Sequence, residues 1–414
     1  MSADLGRAGG TVSELERFRT LWDALLPIGA VDGGGYARHG WSDVDMACRA
    51  WFEAEAGKRG MACETDGNGN LWAWWGDPGA GDAVVTGSHL DSVPSGGAYD
   101  GPLGVVSAFL AVDLLRERHV TPTRPLAVVA FCEEEGARFG VACLGSRLLT
   151  GVLPAEHAVK LSDVDGLDLA TAMASAGADP AKLGADTERV GRIGCYLELH
   201  IEQGVALAEL DSAVGLGTVI WPHGRWRFDF TGEANHAGTT RMSDRHDPML
   251  SYAMTALAAN KQARLRDARA TFGRVSVEPN GTNAIPSRVT AWLDARAADP
   301  ATLESLLADV ERQARDRVTR DGTGLRITAE SMTGAVEFDR ALSTRLARRI
   351  GGRIPALPTG AGHDAGILAA AGVPSTMLFV RNPTGVSHSP AEAASDADCV
   401  AGVHALAAAL EELL

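Results

Sequence analysis

The stretch Ala83-Val-Val-Thr-Gly-Ser-His-Leu-Asp-Ser-Val-Pro-Ser-Gly-Gly-Ala-Tyr-Asp-Gly101 decides how the rest of the chain is read. Its start, Ala83–Thr86, reads as a short apolar strand. His89 comes almost at once, and a Gly-rich turn then leads to Pro102. Proline is well placed in a first helical turn, so a helix is expected over Leu103–Arg118. In open parallel sheets, ligands bind outside the carboxyl ends of strands. His89, Asp91 and Asp100 therefore stand where chemistry is expected. His89 can offer a neutral imidazole to a metal and Asp100 a carboxylate. Asp91 can orient the second nitrogen of His89. The bland alternative is a Gly-rich turn with a stray histidine and two capping aspartates.

The same grammar recurs outward from this segment. Leu126–Cys132, Tyr196–Ile201 and Thr376–Val380 are further apolar or alternating runs, separated by helical stretches. Strands alternating with helices predict an α/β fold with a largely parallel sheet covered on both faces. The middle of the chain differs. Ala213–Ile220, Arg225–Thr231, Arg274–Glu278, Val289–Asp294 and Arg326–Glu330 read as strands. Helices start at Asp247-Pro248 and Asp299-Pro300 among them. The expected plan is a catalytic domain over 1–212 and 333–414, with an α+β domain inserted over 213–332. At the start, Val12, Leu15, Phe18, Trp22, Leu25 and Leu26 recur at helical spacing behind a Thr11–Glu14 capping box. A second helix starts at Ser42–Asp45 and is expected to stop at Gly57.

Charge narrows the function classes. The 414 residues carry 38 Lys and Arg against 53 Asp and Glu, a net charge of −15. A nucleic-acid or anionic-membrane partner would call for a basic surface. No apolar run approaches the ~20 residues that span a bilayer. No signal peptide is evident in the opening residues. Six scattered cysteines without a CxxC pair read as reduced, mostly buried thiols, so a cytoplasmic location is expected.

Three further strand ends carry candidate ligands. Leu126–Cys132 runs into Glu133-Glu134-Glu135. Adjacent carboxylates repel unless something positive compensates. One could then bind metal while a neighbour acts as general base. Tyr196–Ile201 contains His200, and Thr376–Val380 leads to His388. A lone histidine near a strand is usually structural. Four strand ends of one sheet, each offering a histidine or an acid, gather on one edge. His89, Asp100, Glu135, His200 and His388 make three imidazoles and two carboxylates, a set suited to zinc or manganese. Five ligands exceed what one tetrahedral ion needs, so two metals bridged by a carboxylate are plausible.

The strings GSHLDSVPSGGAYDG, EEEGARFG, ELHIEQG, HAGTTRM, GHDA and GVSHSPAE, in this order, resemble the zinc-dependent amidohydrolases that include allantoate amidohydrolase, N-carbamoyl-L-amino-acid hydrolase and β-ureidopropionase. These belong to the wider aminoacylase and carboxypeptidase superfamily. The resemblance runs from about Gly34 to Glu392. It implies two Zn2+ per subunit, with Mn2+ or Co2+ as alternatives. His89, Asp100 and His200 would hold one ion, and Asp100, Glu135 and His388 the other. Glu134 would be the general base and Asp91 would orient His89. The inserted domain would serve as lid and dimerisation unit of a homodimer. His236 would reach the active site, usually across the dimer. Asn283 and Arg296 would grip the substrate carboxylate, and Gln203 would contact the polar end of the substrate. His363 in the GHDA string also matches, in a substrate-binding or a structural role.

What this implies is hydrolysis of a linear C–N bond in a ureido or amide substrate that carries a carboxylate. The strings IWPHGRWRF and FVRNPTGVSHSPAE look most like bacterial allantoate amidohydrolases. N-carbamoyl-L-amino-acid hydrolysis and N-formyl or N-acyl amino-acid hydrolysis are the alternatives. A dipeptidase, or a binding protein that has lost catalysis, fits less well. Arg241 stands where many relatives have proline and Ala137 where many have serine, while Arg381-Asn382 lies in a variable stretch. These departures bear on substrate choice and leave the ligand set intact.

Overall fold

Ala83–His89 is a central strand of a nine-stranded sheet in the computed structural model, which describes residues 13–351 and 353–414. The sheet order is Ala62–Thr65, Leu71–Trp75, Leu126–Phe131, Ala83–His89, Ile193–Ile201, Ser375–Val380, Val214–Ile220 and Val336–Glu337, with Ala356–Thr359 beside Val214–Ile220. The four strands from Leu126–Phe131 to Ser375–Val380 run parallel. Their flanking neighbours are antiparallel. The fold is thus α/β with a largely parallel core, as the strand–helix alternation predicts.

The parallel strands are buried at nearly every residue, which explains their unbroken apolar runs. Helix Pro102–Glu117 covers one face, with Pro102–Val112 buried throughout, and Asp396–Leu413 packs beside it. Register then fixes the site. His89 pairs with Phe131, and Phe379 pairs with His200. All four strands consequently deliver their ends to the same sheet edge.

The chain divides into two units, one built from the chain up to Thr218 with Glu337–Leu414, the other from Val219–Val336. Val214–Ile220, read from sequence as a strand of the inserted part, pairs instead with Ser375–Val380 in the central sheet. Nothing in its alternation distinguishes the two sheets; its partner is far off in sequence, Leu216 pairing with Leu378, and only tertiary pairing reveals it. The second unit has an antiparallel sheet in the order Gly324–Thr333, His223–Thr231, Arg288–Arg296 and Arg269–Glu278. Helices Pro248–Leu265 and Pro300–Asp321 cover it, capped by Asp247 and Asp299. On Arg288–Arg296 the alternation is strict, with Val289, Ala291, Leu293 and Ala295 buried.

Thr11 and Val12 lie outside the described residues. The first helix is Glu14–Leu25, and its capping box is formed by Ser13 and Glu16. The second helix, Asp43–Lys58, runs through Gly57 rather than stopping there. All six cysteines are free thiols, and every one except Cys63 is buried. Among the described residues, no helix is long and apolar enough to cross a membrane.

Candidate metal and catalytic site

Asp100 is the centre of the site. It lies on the turn between strand Ala83–His89 and helix Pro102–Glu117 and is 5% exposed. Its Oδ1 faces the Nε2 atoms of His89, at 3.4 Å, and His200, at 3.1 Å. Its Oδ2 lies 3.4 Å from Nε2 of His388, which is also 3.4 Å from Glu135 Oε2. Two trios result, His89–Asp100–His200 and Asp100–Glu135–His388. Within each, the ligand-capable atoms lie within 4.8 Å of one another. One carboxylate belongs to both trios and points a different oxygen at each.

The imidazoles are oriented from behind. His89 Nδ1 lies 3.1 Å from the Asp91 carbonyl and His200 Nδ1 lies 2.9 Å from the Ile201 carbonyl. Carbonyls only accept, so each Nδ1 carries the hydrogen and each Nε2 is the atom left to face Asp100. Both Nε2 atoms are buried without a hydrogen-bond partner. An imidazole nitrogen turned on a carboxylate oxygen needs a positive charge between them, and a divalent cation there would serve both histidines at once. With three imidazole nitrogens and two carboxylates and no thiolate, these residues fit a pair of divalent cations of borderline hardness.

The backbone is shaped to permit this arrangement. At Gly101, φ is +84° and an added Cβ would lie 2.4 Å from the His89 ring, so no side chain fits there. Glu392 accepts hydrogen bonds from the backbone N–H groups of Tyr99 and Asp100 and thereby fixes the turn that carries Asp100. His388 itself adopts φ +55°, a costly conformation for a β-carbon residue that functional loops often retain.

The acidic triplet splits into three tasks. Glu133 turns away from the metal trios and accepts the N–H groups of Gly40, Arg138 and Phe139. Glu135 joins the second trio; burial and then Asp100 push its carboxyl up to about 7. Glu134 belongs to neither trio, yet its Oε2 is 3.7 Å from His89 Nε2. Burial pushes its carboxyl well above the ordinary carboxylate range, and Asp364 and Glu135 push the same way. A carboxylate of raised basicity beside, but outside, the ligand set is placed to take a proton.

Asp91 does something the sequence did not suggest. Its carboxylate lies 3.5 Å from His89 Nδ1, whereas its backbone carbonyl is the closer partner at 3.1 Å. The carboxylate instead accepts the N–H groups of Glu134 and Glu135, at 3.0 Å each. Asp91 therefore sets the histidine and the acidic loop together. Gln203 turns its amide to Asp100 Oδ2 at 2.8 Å, so its described contact is with a ligand. The His363 ring packs edge-on against His200 at 4.6 Å. Glu198, His200 and His363 form a third group of the same kind. Glu198 accepts from Ser88 Oγ and the Ala365 N–H, a buried support that no local sequence signal announced.

The remaining expected residues lie in the second unit. His236 is exposed on the two-residue strand Asn235–His236, where it pairs with Ala284; the Ala237 N–H donates to the Asn283 carbonyl. That pairing brings His236 and Asn283 together. Arg296 ends strand Arg288–Arg296, and Asp294 holds its guanidinium at 2.8 and 3.0 Å. Arg381 is gripped by Asp398 at 2.7 Å and Asp211 at 3.0 Å. Arg241 caps the short turn Met242–Asp244 and is exposed.

The profile of the Peptidase family M20/M25/M40 matches residues 85–412, which include every residue of both trios. The chain belongs to this family. M20 hydrolases are metal-dependent and act on carbon–nitrogen bonds, and so this chain is a hydrolase of that class. Over 401 residues it is 35% identical to an N-carbamoyl-L-amino acid amidohydrolase of Geobacillus stearothermophilus, covering 93% of this chain and 96% of that one. Over 409 residues it is 31% identical to an allantoate amidohydrolase of Escherichia coli (strain K12), covering 96% and 99%. The crystal structure of an amidase of the hydantoinase/carbamoylase family from Burkholderia vietnamiensis is 31% identical and matches with a TM-score of 0.85, over 96% of this chain and 97% of that one. The family named from the sequence motifs is thus the right one.

Proposed function

We propose that this M20 hydrolase cleaves a linear C–N bond in the ureido group of a carboxylate-bearing substrate, with allantoate the favoured substrate. The observation that carries the reading is Asp100, shared between two trios, with Glu134 buried beside but outside them. Two divalent cations would be held, one by His89, Asp100 and His200 and the other by Asp100, Glu135 and His388. Zinc is favoured, with manganese or cobalt as alternatives, and the ions would supply Lewis-acid polarisation of the scissile carbonyl and acidification of a water. Glu134 takes the proton of the attacking water and returns it to the leaving nitrogen. Asp91 holds Glu134 and Glu135 in register through their N–H groups. Asn283 and Arg296 bind the substrate carboxylate and so fix the scissile carbon, while His236, supplied across a homodimer, stabilises the developing oxyanion. Gln203 and His363 support this pocket from the ligand side.

The homodimer is supported by the second unit's exposed apolar residues. Leu250, Met254, Leu257 and Leu265 stand exposed on helix Pro248–Leu265, beside the edge strand Arg269–Glu278. The net charge of −15 and the six free thiols support the reading of a cytoplasmic enzyme that acts on a small molecule.

N-carbamoyl-L-amino-acid hydrolysis is the second reading, favoured by the 35% identity to the Geobacillus enzyme. Incubation with allantoate, several N-carbamoyl-L-amino acids and N-formyl-L-glutamate, read by ammonia release and mass spectrometry of products, separates the cases. Allantoate turnover supports the first reading. Cleavage of N-carbamoyl or N-formyl substrates alone would keep the chemistry and discard the substrate.

The carboxylate clamp makes its own prediction. Arg296→Ala should cost about 2–5 kcal/mol in kcat/KM on a carboxylate substrate, because a desolvated charge pair is lost. An unchanged kcat/KM would remove Arg296 from the binding site.

A further inference from the structure

Glu134 is held firmly by its backbone and lightly by its side chain. Its N–H donates to Asp91 Oδ1. Its carbonyl accepts from the Cys143 N–H, while the Leu144 N–H donates to Glu133 O and the Gly145 N–H to Cys132 O. Three successive N–H groups at the start of helix Leu144–Leu149 thus clamp the segment that presents the base. The carboxylate has one hydrogen-bond donor among the described residues, the thiol of Cys143, with Sγ 3.3 Å from Oε1.

Cys143 is itself unusual. It sits at the cap of that helix with φ 54° and ψ 40°, the left-handed region, and its side chain makes no cap hydrogen bond. L-residues other than glycine, asparagine and aspartate rarely adopt this conformation, and holding it costs on the order of 1 kcal/mol or more. A serine or asparagine would be the ordinary cap. The thiol is 2% exposed and turned towards the base. Burial pushes it well above its usual value, so it is a thiol and a donor.

We propose that Cys143 is a positioning residue for catalysis: its S–H holds Oε1 of Glu134 so that Oε2 faces the His89 side of the metal trios. This deepens the proposed function and rests on Glu134 being the general base. A thiol is a weak donor. It is enough to hold one rotamer of a buried carboxylate whose backbone is already clamped.

The test compares Cys143→Gly, Cys143→Ser and Glu134→Gln in full-length, metal-loaded protein, on allantoate or on whichever substrate of the panel is hydrolysed. Glycine suits the left-handed backbone and deletes only the thiol; serine restores a donor. Cys143→Gly should lower kcat about tenfold with KM and bound metal unchanged, and Cys143→Ser should recover most of that loss. Combined with Glu134→Gln, Cys143→Gly should cause no further fall, since the thiol acts through the base. Wild-type kcat in Cys143→Gly would overturn the proposal, as would a loss that serine does not recover or that adds to Glu134→Gln. If the glycine variant fails to fold, Cys143→Ala carries the same test, and wild-type kcat there overturns it. An active Glu134→Gln would instead overturn the base assignment itself, so the two failures are distinguishable.

Discussion

Glu134→Gln is expected to lower kcat by about 10²–10⁴-fold, the range associated with a positioned general base. The substitution is nearly isosteric and removes only the capacity to take a proton. Glu134 lies outside both metal trios, so bound metal should be unchanged. Its backbone is clamped by Asp91 and by the helix start at Cys143, so the loop should not move. KM should stay within a few-fold, because the side chain enters neither the ligand set nor the carboxylate clamp. Steady-state kinetics with metal analysis of the same preparation check this. Near-normal turnover would assign the base elsewhere, and a parallel loss of metal would make Glu134 a ligand.

Asp100→Ala is expected to be more damaging still. Asp100 is the one described residue that belongs to both trios of the proposed metal pair, and His89, His200 and His388 all turn Nε2 to its oxygens. Its loss should release both ions together and lower activity by more than about 10³-fold, beyond what loss of an outer hydrogen-bond partner causes. Glu392 holds the backbone of this turn through the Tyr99 and Asp100 N–H groups, so the fold should persist. The measurement is metal content by mass spectrometry beside circular dichroism. A folded variant that keeps two ions and its activity would remove Asp100 from the bridging position.

Much of this site was legible because its ligands sit at the ends of apolar runs. His89 ends one strand and Glu133–Glu135 come just after another, and one sheet edge gathers what four strands deliver. The supports were not legible, for physical reasons. Glu392 secures Asp100 across 292 residues of sequence, and Glu198 takes its hydrogen bond from Ser88 across 110. Neither leaves a local pattern. The division of labour within the triplet was also hidden. Three adjacent glutamates look alike until the left-handed turn at Glu133, with φ 54°, points one of them at N–H groups and leaves the other two facing the site. The sequence suggests Asp91 as a histidine partner, whereas its carboxylate accepts the N–H groups of Glu134 and Glu135, which depends on how two neighbouring strands end.

The fold shows the same split. Buried parallel strands announce themselves by unbroken apolar runs. Ala62–Thr65, exposed at all four residues on the sheet edge, has no apolar face to betray it. Leu71–Trp75, short and aromatic-rich, owes its place to antiparallel pairing with Leu126–Phe131. In the second unit, strict alternation marked Arg288–Arg296, whereas the partly exposed Arg269–Glu278 was read at only half its length.

The proposed requirement for hydrolysis is a pair of ions that share Asp100. Its most direct test is to strip the protein with a chelator and titrate zinc or manganese back while following ammonia release from allantoate or the best substrate of the panel. No activity is expected in the stripped protein, with full recovery at two equivalents per chain. Turnover by metal-free protein, or full recovery at one equivalent, would contradict it.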